Sequence, residues 1–312
     1  MAIRKFPKAS IILITCGRLD LLKERSLPSA LGQDYPNFKV IVVDDFSNDG
    51  TEKFMKDFSE KDKRVIYIRH GFNKGASAAR NTGVRRASGD YVVFLDDDNA
   101  LLPNFLNESI PVLESLSKEY GALSVGRFNI YSYGREYILP QKDEDSFYTT
   151  IDDGWLMRRA VFDKILWDEE LYHDEDVGLG ISFYEQYKAR ALNKPLFLKY
   201  VSRTAGKQSH LSFGRPSEKR MKGLDNLVKK YLPVFEKANN KTELTFIYRH
   251  IGKTYAVAGH RRRGIKFLWK AFKATPSLRN CINLLVALSG SFIYKLYLLL
   301  ETNLIQFFRI KF

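Results

Sequence analysis

The chain has 312 residues, 45% of them hydrophobic, a formal net charge of +14 and two cysteines. This is enough apolar residue for a sizeable core, and too few cysteines for a disulfide framework or a cysteine-based metal cluster. The charge is uneven: residues 1–213 hold 30 Lys and Arg against 31 Asp and Glu, and residues 214–312 hold 20 against 5.

The charge step coincides with Gly214 and Pro216, which punctuate the chain. It sets the expected division: residues 1–213 as one domain, residues 214–312 as a basic helical region. The first residues lack the apolar core of a signal peptide. The longest charge-free stretch, Asn280–Tyr294, is shorter than the roughly 18–20 apolar residues of a spanning helix. The expected location is the cytoplasm, with peripheral contact to the membrane.

In chain order, Ser10–Thr15 reads as a buried strand and Leu19–Leu31 as a helix. Phe38–Val43 is a second strand, and a helix opens after Asp49-Gly50-Thr51 and runs through Phe58. Val65–Ile68 is a third strand, Gly75–Arg86 a helix, and Tyr91–Leu95 a fourth strand. This alternation predicts an α/β domain with a mostly parallel sheet and right-handed crossovers. Beyond residue 100 the pattern is less regular: a helix at 103–118, one or two strands, and a helical run Ile181–Leu192. In the basic region, Ile251-Gly252 with Tyr255, Ala271 and Pro276 resembles one tetratricopeptide-like helical pair, followed by an apolar amphipathic tail over 281–308.

Two strands end in acids. Val40–Val43 runs into Asp44-Asp45, and Tyr91–Leu95 into Asp96-Asp97-Asp98. Ligands of open α/β sheets bind at the carboxyl ends of the strands. Adjacent carboxylates repel and need a cation to stay ionised together. A hard divalent ion shared with a substrate phosphate meets that need.

Four blocks in this order resemble the family 2 glycosyltransferases of the nucleotide-sugar-binding GT-A fold: Ile14-Thr15-Cys16-Gly17-Arg18, Val42–Thr51, Asn73–Gly83 and Gly89–Asp98. A looser fifth runs from Gly154-Trp155 to Glu175-Asp176. The resemblance covers residues 8–213 and implies an inverting, metal-dependent transfer of sugar from a nucleotide-diphosphate donor. A UDP-sugar is the expected donor, a glycan or lipid-linked hydroxyl the expected acceptor. It implies that Asp45, assisted by Asp44, accepts from the donor base; the alternative is a pair of helix caps. It implies that Asp98 holds Mg²⁺ or Mn²⁺ and that Asp96 holds the ribose or a metal-bound water, with Asp97 in the donor site. Asp176 of the Glu175-Asp176 pair becomes the base, with Asp174 as the other candidate.

Around these, Thr15 and Arg18 end the first strand, where they can line the base pocket; the alternative for Arg18 is a simple strand-end turn. Lys74, Gly75 and Arg80 approach the diphosphate, Arg80 pairing with it or with Asp45. Trp155 either stacks on an acceptor sugar or fills the core. His210 either completes the metal shell or stands in a solvated loop. Arg261-Arg262-Arg263, Lys266, Lys270 and Lys273 beside the apolar tail suggest an anionic membrane, against a soluble helical cap. A polyprenyl-phosphate sugar synthase shares the motifs and is the rival reading. A nucleic-acid binder lacks the needed aromatic module, and intact acids at 96–98 and 175–176 argue against a silent scaffold.

Overall fold

The computed structural model describes residues 6–131, 134–139, 151, 153–201 and 217–289. The chain divides into two compact units, Met1–Arg203 and Thr204–Phe312.

The first unit is built on a nine-stranded sheet ordered β3-β2-β1-β4-β8-β6-β9-β5, with β7 paired to β6. The parallel half holds β1 (Ala9–Thr15), β2 (Phe38–Asp44), β3 (Val65–Arg69) and β4 (Tyr91–Asp96). Each central strand is apolar without alternation because both its faces are covered. Ile11, Leu13, Val40, Val42, Val93 and Leu95 enter one core; Ile12, Ile41, Val43, Val92 and Phe94 enter the other. The helices on these faces are α1 (Leu19–Leu21), α2 (Leu27–Leu31), joined to it by a π turn at Leu22–Ser26, α3 (Thr51–Lys61), and α4 (Ala76–Arg86). Helix α4 lies so close to β1 that a Cβ on Gly83 would stand 2.3 Å from Ile12 Cγ2.

The second half of the sheet departs from the mostly parallel expectation. It contains β5 (Ala100–Leu101), β6 (Tyr120–Tyr131), β7 (Gly134–Ile138), β8 (Leu156–Arg158) and β9 (Lys188–Tyr200). β8 runs antiparallel to β4 and β6, β7 to β6, and β5 to β9, while β6 and β9 are parallel. The sheet is therefore mixed. It also curls. β5 follows β4 after three residues yet lies four strand steps away in the order, about 19 Å if flat. The chain from Asp96 to Ala100 reaches about 14 Å at most, so the edge carrying β5 must bend back toward β4.

Helix α5 (Phe105–Ser115) fills the place of the helix expected at 103–118. The helical run expected over Ile181–Leu192 is corrected: α6 (Glu175–Tyr184) ends early and Lys188 opens β9. Lys-Ala-Arg-Ala-Leu has good helix propensity. Pairing with β6 overrides it, beginning where Lys188 N donates to Glu119 O at 2.8 Å.

The second unit is helical: α7 (Glu218–Lys230), α8 (Leu232–Ala238), α9 (Lys241–Val257), α10 (Arg261–Ala274) and α11 (Leu278–Ser289). Ser217 caps α7 and Asn240 caps α9 through side-chain oxygens. α9 and α10 form a hairpin in which Tyr255 stacks on Phe267, centroids 5.9 Å apart. α11 has reversed polarity: it buries Asn280, Asn283 and Ala287 and leaves Leu278, Leu285 and Leu288 exposed. Among the described residues no helix is long and apolar enough to cross a membrane. The apolar segment beyond Ser289 lies outside the described residues.

Candidate active site

Strand register gathers the acids. Thr15 pairs with Asp44 across β1 and β2, and Ile14 pairs with Asp96 across β1 and β4. Both acidic strand ends thus lie on one edge of the parallel half.

Asp44 and Asp45 are buried and committed to protein donors. Asp44 Oδ1 accepts from Ser47 N at 2.8 Å, and Oδ2 from the Tyr67 hydroxyl at 2.7 Å. Asp45 Oδ1 lies 2.8 Å from His70 Nδ1 and accepts from Lys74 N at 2.8 Å; Oδ2 accepts from Gly75 N at 2.7 Å. Asp45 therefore pins the loop that leads into α4. Gly75 holds φ +92° there, in the left-handed region that costs other residues strain. Phe46, just past Asp45, holds φ +69° without being glycine. A bulky residue in that region is an outlier of the kind that clusters at functional sites. Asp49 acts from one residue before Gly50, the N-cap of α3: its Oδ2 accepts from Leu19 N at 2.8 Å, and its Oδ1 from Thr51 N at 3.2 Å and the Thr51 hydroxyl at 2.6 Å. Burial raises its carboxyl, but the bonds from Thr51 and Leu19 outweigh this and hold it below the usual range.

At the end of β4 the three acids take different surroundings. Asp97 points inward: it is fully buried and accepts from the Thr15 hydroxyl at 2.7 Å and from Arg18 Nε at 3.1 Å. Its Oδ1 lies 2.5 Å from Arg18 Nη2 as an ion pair without hydrogen-bond alignment. Burial pushes Asp97 up to about 7, against the pull of Arg18 and Thr15. Asp98 is partly exposed and its Oδ2 accepts from Arg18 Nη1 at 3.0 Å. Arg18 thus serves the two acids that follow β4, and their charges outweigh burial to hold its guanidinium above the usual range. Arg25 donates to Asp98 O at 3.3 Å and lies over the Tyr200 ring at 4.2 Å. Asp153 fixes the turn, accepting from Asn99 Nδ2 at 2.6 Å and Asp96 N at 3.4 Å.

Arg80 joins the donor edge to the fifth block. It is buried, donates to Asp96 Oδ1 at 2.9 Å and to Glu175 Oε1 at 3.0 Å, and lies over the Trp167 ring at 4.5 Å. Burial opposes its charge, and Asp96, Glu175 and Asp153 overcome that and raise its affinity for the proton. Asp176 follows Glu175 in the first turn of α6, behind Asp174 in the left-handed region at the N-cap. Asp176 Oδ1 accepts from Val177 N at 2.9 Å, and its carbonyl accepts from Ile151 N at 3.4 Å.

The structure thus brings Thr15, Arg18 and Asp96–Asp98 together, and links Arg80 and Glu175 to them. Lys74 reaches Asp45 through its backbone, while its Nζ lies 5.4 Å from the Phe72 ring centroid. Arg80, expected to pair with the diphosphate or with Asp45, pairs with Asp96 and Glu175. Of the two readings of Trp155, its position accords with the core one: it is 4% exposed and packed in the second core. His210 lies outside the described residues. Arg25, Asp153, Asn99 and Trp167 escaped sequence reasoning because each acts from outside the four blocks. Asn81 was legible within the third block, but not its bonds to Trp167 O and Glu169 Oε1, both at 2.9 Å, which hold Trp167 beneath Arg80.

Comparison with known proteins follows the same blocks. Glycosyltransferase GlyA of Streptococcus pneumoniae is 33% identical over 178 residues, covering 55% of this chain and 23% of GlyA. The Escherichia coli UDP-Glc:alpha-D-GlcNAc-diphosphoundecaprenol beta-1,3-glucosyltransferase WfgD is 34% identical over 174 residues, 54% of this chain and 66% of WfgD. The chain thus spans under a quarter of GlyA and about two thirds of WfgD. In fold it resembles residues 1–349 of Staphylococcus aureus TarS bound to UDP-GlcNAc, with TM-score 0.62, 20% identity, and coverage of 92% and 89% of the two chains. The family model for glycosyl transferase family 2 matches residues 10–166. That match takes in all four motif blocks and the acid edge they build, and the chain belongs to glycosyl transferase family 2.

Proposed function

We propose that the enzyme transfers a sugar, with inversion, from a UDP-sugar to a hydroxyl of a glycan or lipid-linked acceptor. The observation that carries this is the pair of arginine bridges at the acid edge, Asp97/Asp98 to Arg18 and Asp96 to Arg80 to Glu175. The WfgD name, with its diphosphoundecaprenol acceptor, and the UDP-GlcNAc of TarS support the acceptor and donor classes.

Asp96 and Asp98 fit a divalent ion in part. They are hard oxygen donors, partly exposed, and each is already matched to a cationic group at 2.9–3.0 Å. Among the described residues no cluster of three or more acid, histidine or cysteine ligands forms a ready cage. Two carboxylates suit Mg²⁺ or Mn²⁺, whose remaining positions go to phosphate oxygens and water. When bound, such an ion neutralises charge developing on the leaving diphosphate.

The chain's own groups do the rest. Asp45 orders the 70–75 loop and Gly75 lets it approach the donor closely. Thr15 and Arg18 hold Asp97 and Asp98 in place. Arg80 fixes Glu175 relative to Asp96, so the base side is set against the donor side. Asp176 takes the proton from the acceptor hydroxyl. Peripheral association with the cytoplasmic membrane surface accords with a lipid-linked acceptor.

A screen of UDP-sugars and other donors with Mn²⁺ or Mg²⁺, read as nucleotide release and product anomer by NMR, tests the class. Asp176→Asn should keep donor affinity and lose about 10²–10⁴-fold in turnover. Wild-type turnover in that variant removes Asp176 as the base, and a dead Asp174→Asn beside it moves the role to Asp174.

A further inference from the structure

We propose that the outward face of α10 and α11 docks on an anionic lipid bilayer, which deepens the peripheral-membrane reading above. The first observation is the reversed polarity of α11. Asn280 Nδ2 donates to Thr275 O at 2.9 Å, and Asn283 Nδ2 to Arg279 O at 2.7 Å. The first bond, joined by one from Asn280 Nδ2 to Ala271 O of α10 at 3.5 Å, ties Asn280 inward; the Asn283 bond is within α11, where Asn283 is buried. Leu278 and Leu285, seven residues apart, then share the outer face at 78% and 58% exposed, with Leu288 beside them. An isolated exposed leucine needs no account, but three exposed leucines on a helix that packs Leu284 inward and buries two asparagines present an interaction surface.

The second observation is charge. Residues 261–289 contain seven Lys and Arg and no acid. On α10, Arg262, Lys266, Trp269 and Lys273 are exposed and recur at spacings of four, three and four, which puts them on one stripe. Their flanking cations point elsewhere: Arg263 pairs with Asp225 at 3.1 Å and Lys270 with Glu236 at 2.9 Å. A second copy of this face would meet like charge. A nucleic acid would match the charge but not the leucines. A bilayer matches both, with basic side chains at the headgroups, tryptophan at the interface and leucines in the acyl boundary.

The sequence contains three tryptophans, and Trp155 and Trp167 are buried in the first unit. Quenching of tryptophan emission by brominated lipid therefore reports Trp269. Full-length protein, without donor or acceptor, is floated on phosphatidylcholine vesicles with and without phosphatidylglycerol. The expected result is flotation and quenching only with phosphatidylglycerol. The triple variant Arg262→Gln/Lys266→Gln/Lys273→Gln should partition about 100-fold more weakly, at about fivefold per cation. Leu278→Ser/Leu285→Ser, with an unchanged melting temperature, should lose the quenching. Protein that stays in the soluble fraction with phosphatidylglycerol overturns the proposal. So does flotation that neither variant weakens, which assigns binding to another segment. A concentration-dependent dimer broken by the leucine variant, without flotation, assigns the face to self-association and equally overturns it. Protein that floats and is quenched but transfers no sugar leaves this surface standing and removes the reading of the site.

Discussion

The two units bury charge differently. In the first, buried charged groups gather at one edge of the sheet: Asp44, Asp45, Arg80 and Asp97. In the second, Glu243 of α9 is buried singly, α11 buries neutral asparagines and the described cations stay outside. Buried charge is costly unless paired with good geometry. The first unit meets that cost where chemistry needs concentrated charge. The second uses cheaper amides to set the orientation of a helix.

The largest effect that can break this contrast is at Asp98. Asp98→Ala should lower turnover on the order of a thousandfold, the scale of several kcal/mol of charge stabilisation. Near-ultraviolet circular dichroism should stay unchanged, because Asp98 is partly exposed. Full activity in that variant, or wild-type activity that survives exhaustive chelation, would mean the acid edge is structural.

Arg80→Gln should destabilise the first unit by about 1–3 kcal/mol, since Asp96 and Glu175 lose a charged partner but are partly exposed and can hydrate. A thermal melt measures this, and a loss below 1 kcal/mol would mean that the bridge is energetically a surface pair. At the other unit, Asn280→Ala should cost about 1–3 kcal/mol and leave donor hydrolysis at the wild-type rate below its melt. A drop in hydrolysis there would couple the units.

Asp49 supplies the smallest effect and a pH sign. Its carboxyl is held below the usual range, so its contribution is fully present above the unfolded value of about 3.9 and is lost as pH falls through the lower folded value. Asp49→Ala should therefore flatten acid unfolding of the first unit while costing about 0.5–2 kcal/mol near neutrality. An acid transition identical to wild type would show that the bonds to this carboxylate contribute nothing.

Much of this was legible in the sequence. The apolar runs at 10–15, 38–43 and 91–95 became β1, β2 and β4 with small changes at their ends, because fully buried parallel strands leave an uninterrupted apolar trace. The acids at their ends could be read for the same reason. The mixed half of the sheet could not. β8 has three residues and β5 has two, too short for a period, and Lys188–Leu192 carries helix propensity that pairing with β6 overrides. Trp155 left two readings open, since burial is not written in a single tryptophan. The partners of Arg80 were invisible too: nothing local to α4 points to a glutamate in α6.

That last separation has a kinetic consequence. Thr15 and Asp97 are 82 residues apart, Arg18 and Asp98 80, and Arg80 and Glu175 95. No short segment can assemble the site alone, and closing such long loops precedes any reward from the contacts made. Asp97 and Asp98 meet Arg18 only when β1 pairs with β4, whereas Arg80 and Asp96, 16 residues apart, can meet earlier. Until that pairing the like charges of the Asp triplet are only partly matched. Added salt, which screens them, should therefore speed the step in which β1 joins β4.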